Sequence, residues 1–293
     1  MTTKVWQILE ESTHDSDSDA AKQQRNQMYT DVVTLYHEFR PRYPETLIDN
    51  AIRESPMLQK DTSKCKVLEI GCGPGTLTLP LAKRGFDITT LDPGVGMLNK
   101  CKEVCSGYQN VIFHQLPFQG FQSDVQFDTI FAGTSLHWAI SGKDQIEAVK
   151  KLHSMLKDDG KLILFWAYPP EPSEDIRNAA ADALGVSKPF YFGSDSQEGH
   201  EKSITERVHK PLTDGGCFEV SKTLHTETIT HPSPKDYISF LKTLSPNIIK
   251  GKEEAKKYFD TIEQVLVDKC GQSVPMKAFS SANIISKLPS QTG

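Results

Sequence analysis

The run Val67-Leu68-Glu69-Ile70-Gly71-Cys72-Gly73-Pro74-Gly75-Thr76 constrains this chain more than any other. Its apolar start reads as a buried strand, and its three glycines turn that strand into a tight loop that opens a helix. Glycine is required where a backbone bends left-handed or approaches a ligand with no Cβ in the way. Asp92 follows a second apolar run, 86–91, about 20 residues further on. A strand, a glycine loop and a downstream carboxylate are how an α/β sheet grips an adenosine-bearing cofactor. A dinucleotide site is spelled Gly-x-Gly-x-x-Gly, and here Thr76 stands where the third glycine belongs. That spelling argues against a nicotinamide cofactor.

Apolar and amphipathic segments alternate around this run. The pattern predicts strands over 66–70, 87–91, 111–114, 129–133 and 161–166. Helices are predicted between them over 77–83, 95–105 and 143–156, with Gly85 as a C-cap. Strands separated by helices imply a parallel sheet covered on both faces. Upstream, an amphipathic stretch over 28–39 is broken by Pro41 and Pro44, and a helix over 45–54 follows. After Trp166 the alternation stops at Pro169-Pro170-Glu171-Pro172. The rest reads as a short helix over 176–184, a long strand over 218–231, helices over 234–244 and 252–270, and a final edge strand over 274–288. The chain therefore divides into a polar, flexible segment, 1–27, and a single domain, 28–293. Within that domain 28–166 is the cofactor-binding core, and 167–217 and 232–272 are substrate-cap insertions.

The chain has 293 residues, 37% of them hydrophobic, enough for a sizeable core. A net charge of −5 offers phosphate backbones no general attraction, which disfavours nucleic acid as a partner. The six cysteines form no Cys-x-x-Cys pair and have no paired histidines, so they read as free thiols and no metal is expected. No run approaches the ~20 apolar residues that span a bilayer, and no basic-then-apolar leader opens the chain. A cytoplasmic protein with no membrane partner is the expectation.

Glu69-x-Gly71-x-Gly73-x-Gly75 resembles motif I of the class I S-adenosylmethionine-dependent methyltransferases. Two further segments, Tyr36 with Arg40-Pro41-Arg42-Tyr43-Pro44 and Gly133-Thr134-Ser135-Leu136-His137-Trp138, are similar to those of the small-molecule group that includes the trans-aconitate methyltransferases. The resemblance rests on motifs over 28–166 and on architecture alone thereafter. It implies a Rossmann-like class I fold: a mainly parallel seven-stranded sheet, an antiparallel last strand, and N- and C-terminal helical cap elements. It implies S-adenosyl-L-methionine as cofactor, S-adenosyl-L-homocysteine as product, and no metal.

The resemblance also assigns roles. Glu69 would support the loop and the methionine ammonium, and Gly71, Cys72 and Gly73 would line the aminoacyl moiety. Asp92 would accept hydrogen bonds from both ribose hydroxyls. Pro93 and Met97 would pack on ribose and adenine, and Thr134 would lie at the methyl-transfer end of the fourth strand. Tyr36 and Arg40 would approach the methionine carboxylate, which a guanidinium fork binds bidentately. Many members carry an aspartate after strand three, whereas here the segment is His114-Gln115-Leu116-Pro117-Phe118. The adenine would then be held by Phe118 and Pro117, with Gln115 or main-chain hydrogen bonds.

His137 reads either as a general base or carboxylate donor, or as a packed histidine, and His37 is the second candidate base. Asn-Pro-Pro-Tyr is absent after strand four, which argues against methylation of amino nitrogens of bases or amides. The acceptor implied is a small molecule, with the carboxylate or another group of a small organic acid leading. The alternatives are an amine or thiol metabolite, or a cofactor-binding protein that transfers nothing or meets a protein partner. The pocket walls expected are 166–168, Phe190-Tyr191-Phe192 and 241–246. His200, Lys202 and Arg207 read as anion ligands or as a solvated face.

Overall fold

The computed structural model describes residues 32–59, 61–186, 197–244 and 252–289. The polar N-terminal segment, Phe190-Tyr191-Phe192 and residues 245–246 lie outside them.

Two helices, α1 (Val33–Phe39) and α2 (Glu45–Arg53), precede the sheet. The alternating core follows as β1 (Lys66–Ile70), α3 (Thr78–Lys83), β2 (Asp87–Leu91), α4 (Val95–Val104), β3 (Val111–His114), β4 (Phe127–Gly133), α5 (Leu136–Ala139), α6 (Gln145–Met155) and β5 (Leu156–Ala167). Then come β6 (Glu171–Pro172), α7 (Glu174–Leu184), α8 (Gln197–Ile204), a π-turn over Thr205–His209, and α9 (Lys210–Asp214). The chain closes with β7 (Phe218–Thr230), α10 (Pro234–Leu241), α11 (Lys252–Cys270) and β8 (Met276–Lys287).

Strands β3-β2-β1-β4-β5 run parallel, and β8 is antiparallel to β5. β7 pairs with β8 along its length, from Phe218↔Lys287 to Thr230↔Met276. The last strand of the chain is therefore an inner strand and not the expected edge; β7 takes the edge. The two-residue β6 pairs with the start of β8, giving eight strands against the seven expected. β5 also begins five residues earlier than its hydrophobic run, because Leu156 pairs with Phe127 before a register shift restores Thr129↔Lys161. Asp128 accepts from Lys157 at 2.8 Å across that irregularity, so a polar stretch that reads as a turn is held in the sheet.

Side chains alternate across the strands into two cores. Leu162, Leu164 and Trp166 join Leu68, Ile130 and Leu152 on one face, while Ile163 and Phe165 join Val67, Ile88, Leu47 and Leu81 on the other. Ile204, Val208 and Leu212 belong to the first core, so the segment that carries them packs on the sheet. The cap is a separate cluster in which Ile176 and Ala180 of α7 pack with Tyr237, Ile238 and Leu241 of α10 and with Phe259, Ile262 and Leu266 of α11, and Phe39 of α1 packs against it.

Candidate active site

The C-terminal ends of β1, β2 and β4 come together where the topology of an open α/β sheet places its ligand crevice. All three glycines of the first loop are left-handed, with φ of 74° at Gly71, 54° at Gly73 and 89° at Gly75. Their surroundings differ. A Cβ on Gly71 would stand 2.6 Å from Ser135 Cβ, and one on Gly75 would stand 2.7 Å from Val104. A Cβ on Gly73 would meet no atom within 4 Å. Two glycines are thus required by packing, while the third faces open space.

Asp92, 9% exposed, accepts from Gly73 N–H and Gly94 N–H, each at 2.8 Å. Burial pushes its carboxyl upward while these two bonds pull the other way. The carboxylate thus ties the glycine loop to the turn that opens α4, and each oxygen keeps a second lone pair. Glu69 lies deeper, at 1% exposure, and accepts from Thr78 at 2.7 Å and Thr90 at 3.0 Å through one oxygen. Burial, only partly offset by these hydroxyls, raises it to about 7. The Cys72 side chain packs with Leu98, Cys101 and Cys105, which leaves its backbone to the loop. All six cysteines are free. Pro93 is half-buried, and Met97 is buried against Gly94.

At the end of β4, Thr134 has φ 53°, a conformation uncommon for a β-branched residue and costly by ~1–3 kcal/mol. Its amide donates to Phe165 O at 2.8 Å, and its hydroxyl lies 3.0 Å from Tyr43 Oη. Ser135 donates to Ile70 O, joining β4 to β1 below the glycine loop. Tyr43 and Ser135 were not singled out by the sequence. A Cβ on Gly133 would come 2.8 Å from the Tyr43 hydroxyl, so the glycine and the tyrosine are fitted to each other only in the folded chain.

The segment predicted to cover the cofactor does reach this end. His37 lies beside the Pro74 carbonyl of the glycine loop, which pulls its imidazole upward. Burial, then Arg42 and Lys100, hold its imidazole below the usual value, and its Nδ1 is buried without a partner. Arg40 lies 4.6 Å over the Tyr36 ring, but its fork is engaged elsewhere. Nε donates to Thr243 Oγ1 and Nη2 to Thr243 O, both at 2.8 Å.

Two predicted residues are held by packing. Phe118 is 3% exposed within the first core, with Lys151 Nζ 5.0 Å over its ring. Its ring is committed to packing and not open to stack on a base; Gln115 and Pro117 are the exposed residues of that segment. His137 turns toward Trp138 and Trp166, with ring centroids 4.7 and 5.8 Å away. Burial, then Arg207, lowers it to about 3, and its Nδ1 is buried without a partner. Arg207 itself lies 5.9 Å over Trp138, and His200 stacks on Tyr168 at 5.1 Å. Among the described residues, no group of His, Cys, Asp or Glu could hold a metal ion, and no helix is long and apolar enough to cross a membrane.

Residues 67–160 match the family described as "Methyltransferase domain". An uncharacterized methyltransferase of Staphylococcus carnosus is 30% identical over 142 residues, covering 44% of this chain and 65% of that protein. The malonyl-[acyl-carrier protein] O-methyltransferase of Enterobacter lignolyticus is 28% identical over 116 residues, covering 39% and 43%. The chain thus spans less than two thirds of the length of these curated relatives. A solved structure of a proposed type II methyltransferase from Anaeromyxobacter dehalogenans superposes with a TM-score of 0.58, at 18% identity, over 85% of this chain and 98% of that one. The fold is that of the class I methyltransferases, and residues 67–160 are similar to a methyltransferase domain.

Proposed function

We propose that the chain is an S-adenosyl-L-methionine-dependent methyltransferase acting on a small-molecule acceptor, with S-adenosyl-L-homocysteine as product. The observation that carries this reading is the open left-handed cradle at Gly73, tied to the carboxylate of Asp92. Its donors and space suit a ribose and an aminoacyl tail. Asp92 receives the ribose hydroxyls on its remaining lone pairs, and Gly71 and Gly73 face the aminoacyl part. Glu69 stiffens the loop from below and, when ionised, favours the ammonium. Met97 and Pro93 form the side wall.

Bound there, the cofactor supplies a methyl group on an electrophilic sulfonium. The chain's own work is alignment and exclusion of water. Thr134, Tyr43 and the end of β5 set the far wall, where the acceptor meets the methyl group. A histidine lowered to about 3 is a poor proton acceptor at neutral pH, so His137 serves as a neutral hydrogen-bonding group and not as a general base. That favours an acceptor that arrives ionised, such as the carboxylate of a small organic acid, over a hydroxyl or an ammonium. The O-methyltransferase named among the relatives agrees with an oxygen acceptor.

Calorimetric titration with S-adenosyl-L-homocysteine tests the first step, and a folded sample that takes up no ligand rejects the reading. Methyl-labelled cofactor incubated with a pool of organic acids tests the second. A methyl ester releases its label as methanol in mild base. A base-stable product would move the acceptor to a hydroxyl, an amine or a thiol, and binding without any labelled product would favour a non-transferring role.

A further inference from the structure

His37, Arg40 and Tyr43, spaced three residues apart, each hold a different element around the same end of the sheet. His37 faces the Pro74 carbonyl of the glycine loop, Tyr43 bonds Thr134 at the tip of β4, and Arg40 bonds Thr243 of the cap. The last contact is the most complete. Thr243 is 0% exposed, yet its hydroxyl and its carbonyl both face the guanidinium. The single hydroxyl proton goes to Phe240 O at 2.6 Å, so the oxygen is left to accept from Arg40 Nε. The Phe240 ring lies 5.7 Å from the guanidinium. Helix α10, which ends just before Thr243, is tied also to the segment after β5, where Tyr237 donates to Pro170 O at 3.3 Å. One helix thus joins the cofactor-facing segment to the segment that leaves β5 beside the methyl-transfer centre.

We propose that Thr243 is a positioning residue for the acceptor. Through Arg40 it makes α10 close together with residues 36–43, so that an occupied cofactor site sets the acceptor pocket before the acceptor enters. The proposal rests on the methyltransferase reading and names its order of binding: cofactor first, acceptor second. It also fixes how Arg40 is used. The arginine keeps its bonds to Thr243 when the cofactor is present and does not leave them for the ligand's carboxylate.

The test is hydrogen exchange of the full chain with and without S-adenosyl-L-homocysteine, in wild type, Thr243→Val and Thr243→Ser. Calorimetry comes first, because absence of binding rejects the methyltransferase reading and not this proposal. In wild type, saturating ligand should slow exchange about tenfold or more in both 33–43 and 234–244. Thr243→Val should keep the ligand affinity and the protection of 33–43 but lose the ligand-dependent protection of 234–244. Thr243→Ser should restore it. A residue that is only structural would change exchange equally with and without ligand. Protection of 33–43 alone in wild type overturns the proposal, as does faster exchange at 240–244 on binding, and neither result depends on the valine variant folding.

Discussion

Glu69 meets Thr78 and Thr90, and Asp92 meets Gly73, across sequence separations of at most 21 residues, whereas Arg40 reaches Thr243 across 203. The two regions lie at the same end of the sheet and are built by opposite means. Around the glycine loop, Glu69 and Asp92 find their partners within one β-α-β unit, so a short motif specifies them. The cap gathers α7, α10, α11 and the end of α1 from distant parts of the chain, and closing such loops carries an entropic cost that only shared burial offsets. Chemistry written locally is legible from spelling, while a surface assembled from afar is visible only once folded.

The largest expected effect falls on the cap. Leu241→Ala empties a fully buried position and should cost ~2–5 kcal/mol in urea unfolding. If the regions are as separable as their construction implies, homocysteine-product binding at the glycine loop persists below the transition; its loss together with the cap would break the contrast. Asp92→Ala attacks the other region. It removes the carboxylate and leaves two N–H groups without their acceptor, and at ~1.5–3 kcal/mol for a charged bond the affinity for S-adenosyl-L-homocysteine should drop about 100-fold. Unchanged calorimetric affinity would mean that the ribose lies elsewhere.

A finer comparison sits within the loop. Gly71→Ala combines a left-handed φ with a contact at 2.6 Å and should lower stability by several kcal/mol, read as a fall in Tm. Gly73→Ala carries only the ~1–2 kcal/mol of left-handed strain, yet should block the ligand. Equal loss of stability in the two variants would remove the distinction between a packing glycine and a ligand-facing one.

The most gradual effect is a slope. Glu69 is raised from 4.5 to about 7 in the folded chain. Between these values the folded state holds more protons than the unfolded one, so this group's contribution to stability falls as pH rises from about 4.5 to about 7, by at most ~1.4 kcal/mol per unit. Glu69→Gln should flatten that part of the stability profile in denaturation series across pH 4 to 8, and an unaltered slope would show that another group titrates there.

The parallel strands, the glycine loop and the placement of Asp92 were readable because each is set by a local pattern: apolar runs, left-handed turns and a carboxylate at a strand end. The C-terminal strand was placed in chain order at an edge, because alternation reveals a strand but not its neighbours; pairing with both β5 and β7 puts it inside. Phe118 read as a stacking surface because an aromatic residue looks the same in a pocket and in a core. His137 carried two readings, base or carboxylate donor against packed histidine, and its ring contacts with Trp138 and Trp166 are what the sequence could not show. Tyr43 and Thr243 gave little sign, since a tyrosine in a proline-rich turn and a threonine after a helix are ordinary until their partners are known.

The sequence by itself determined the kind of sheet, the glycine loop and the carboxylate that ties it, because these depend on φ, on alternation and on groups a few residues apart. Only the tertiary structure decided which strand lies inside, which aromatic side chains are already committed, and where the fork of Arg40 is held. Those depend on burial and on hydrogen bonds between groups far apart in the chain, and no local pattern encodes which distant partner satisfies a buried donor.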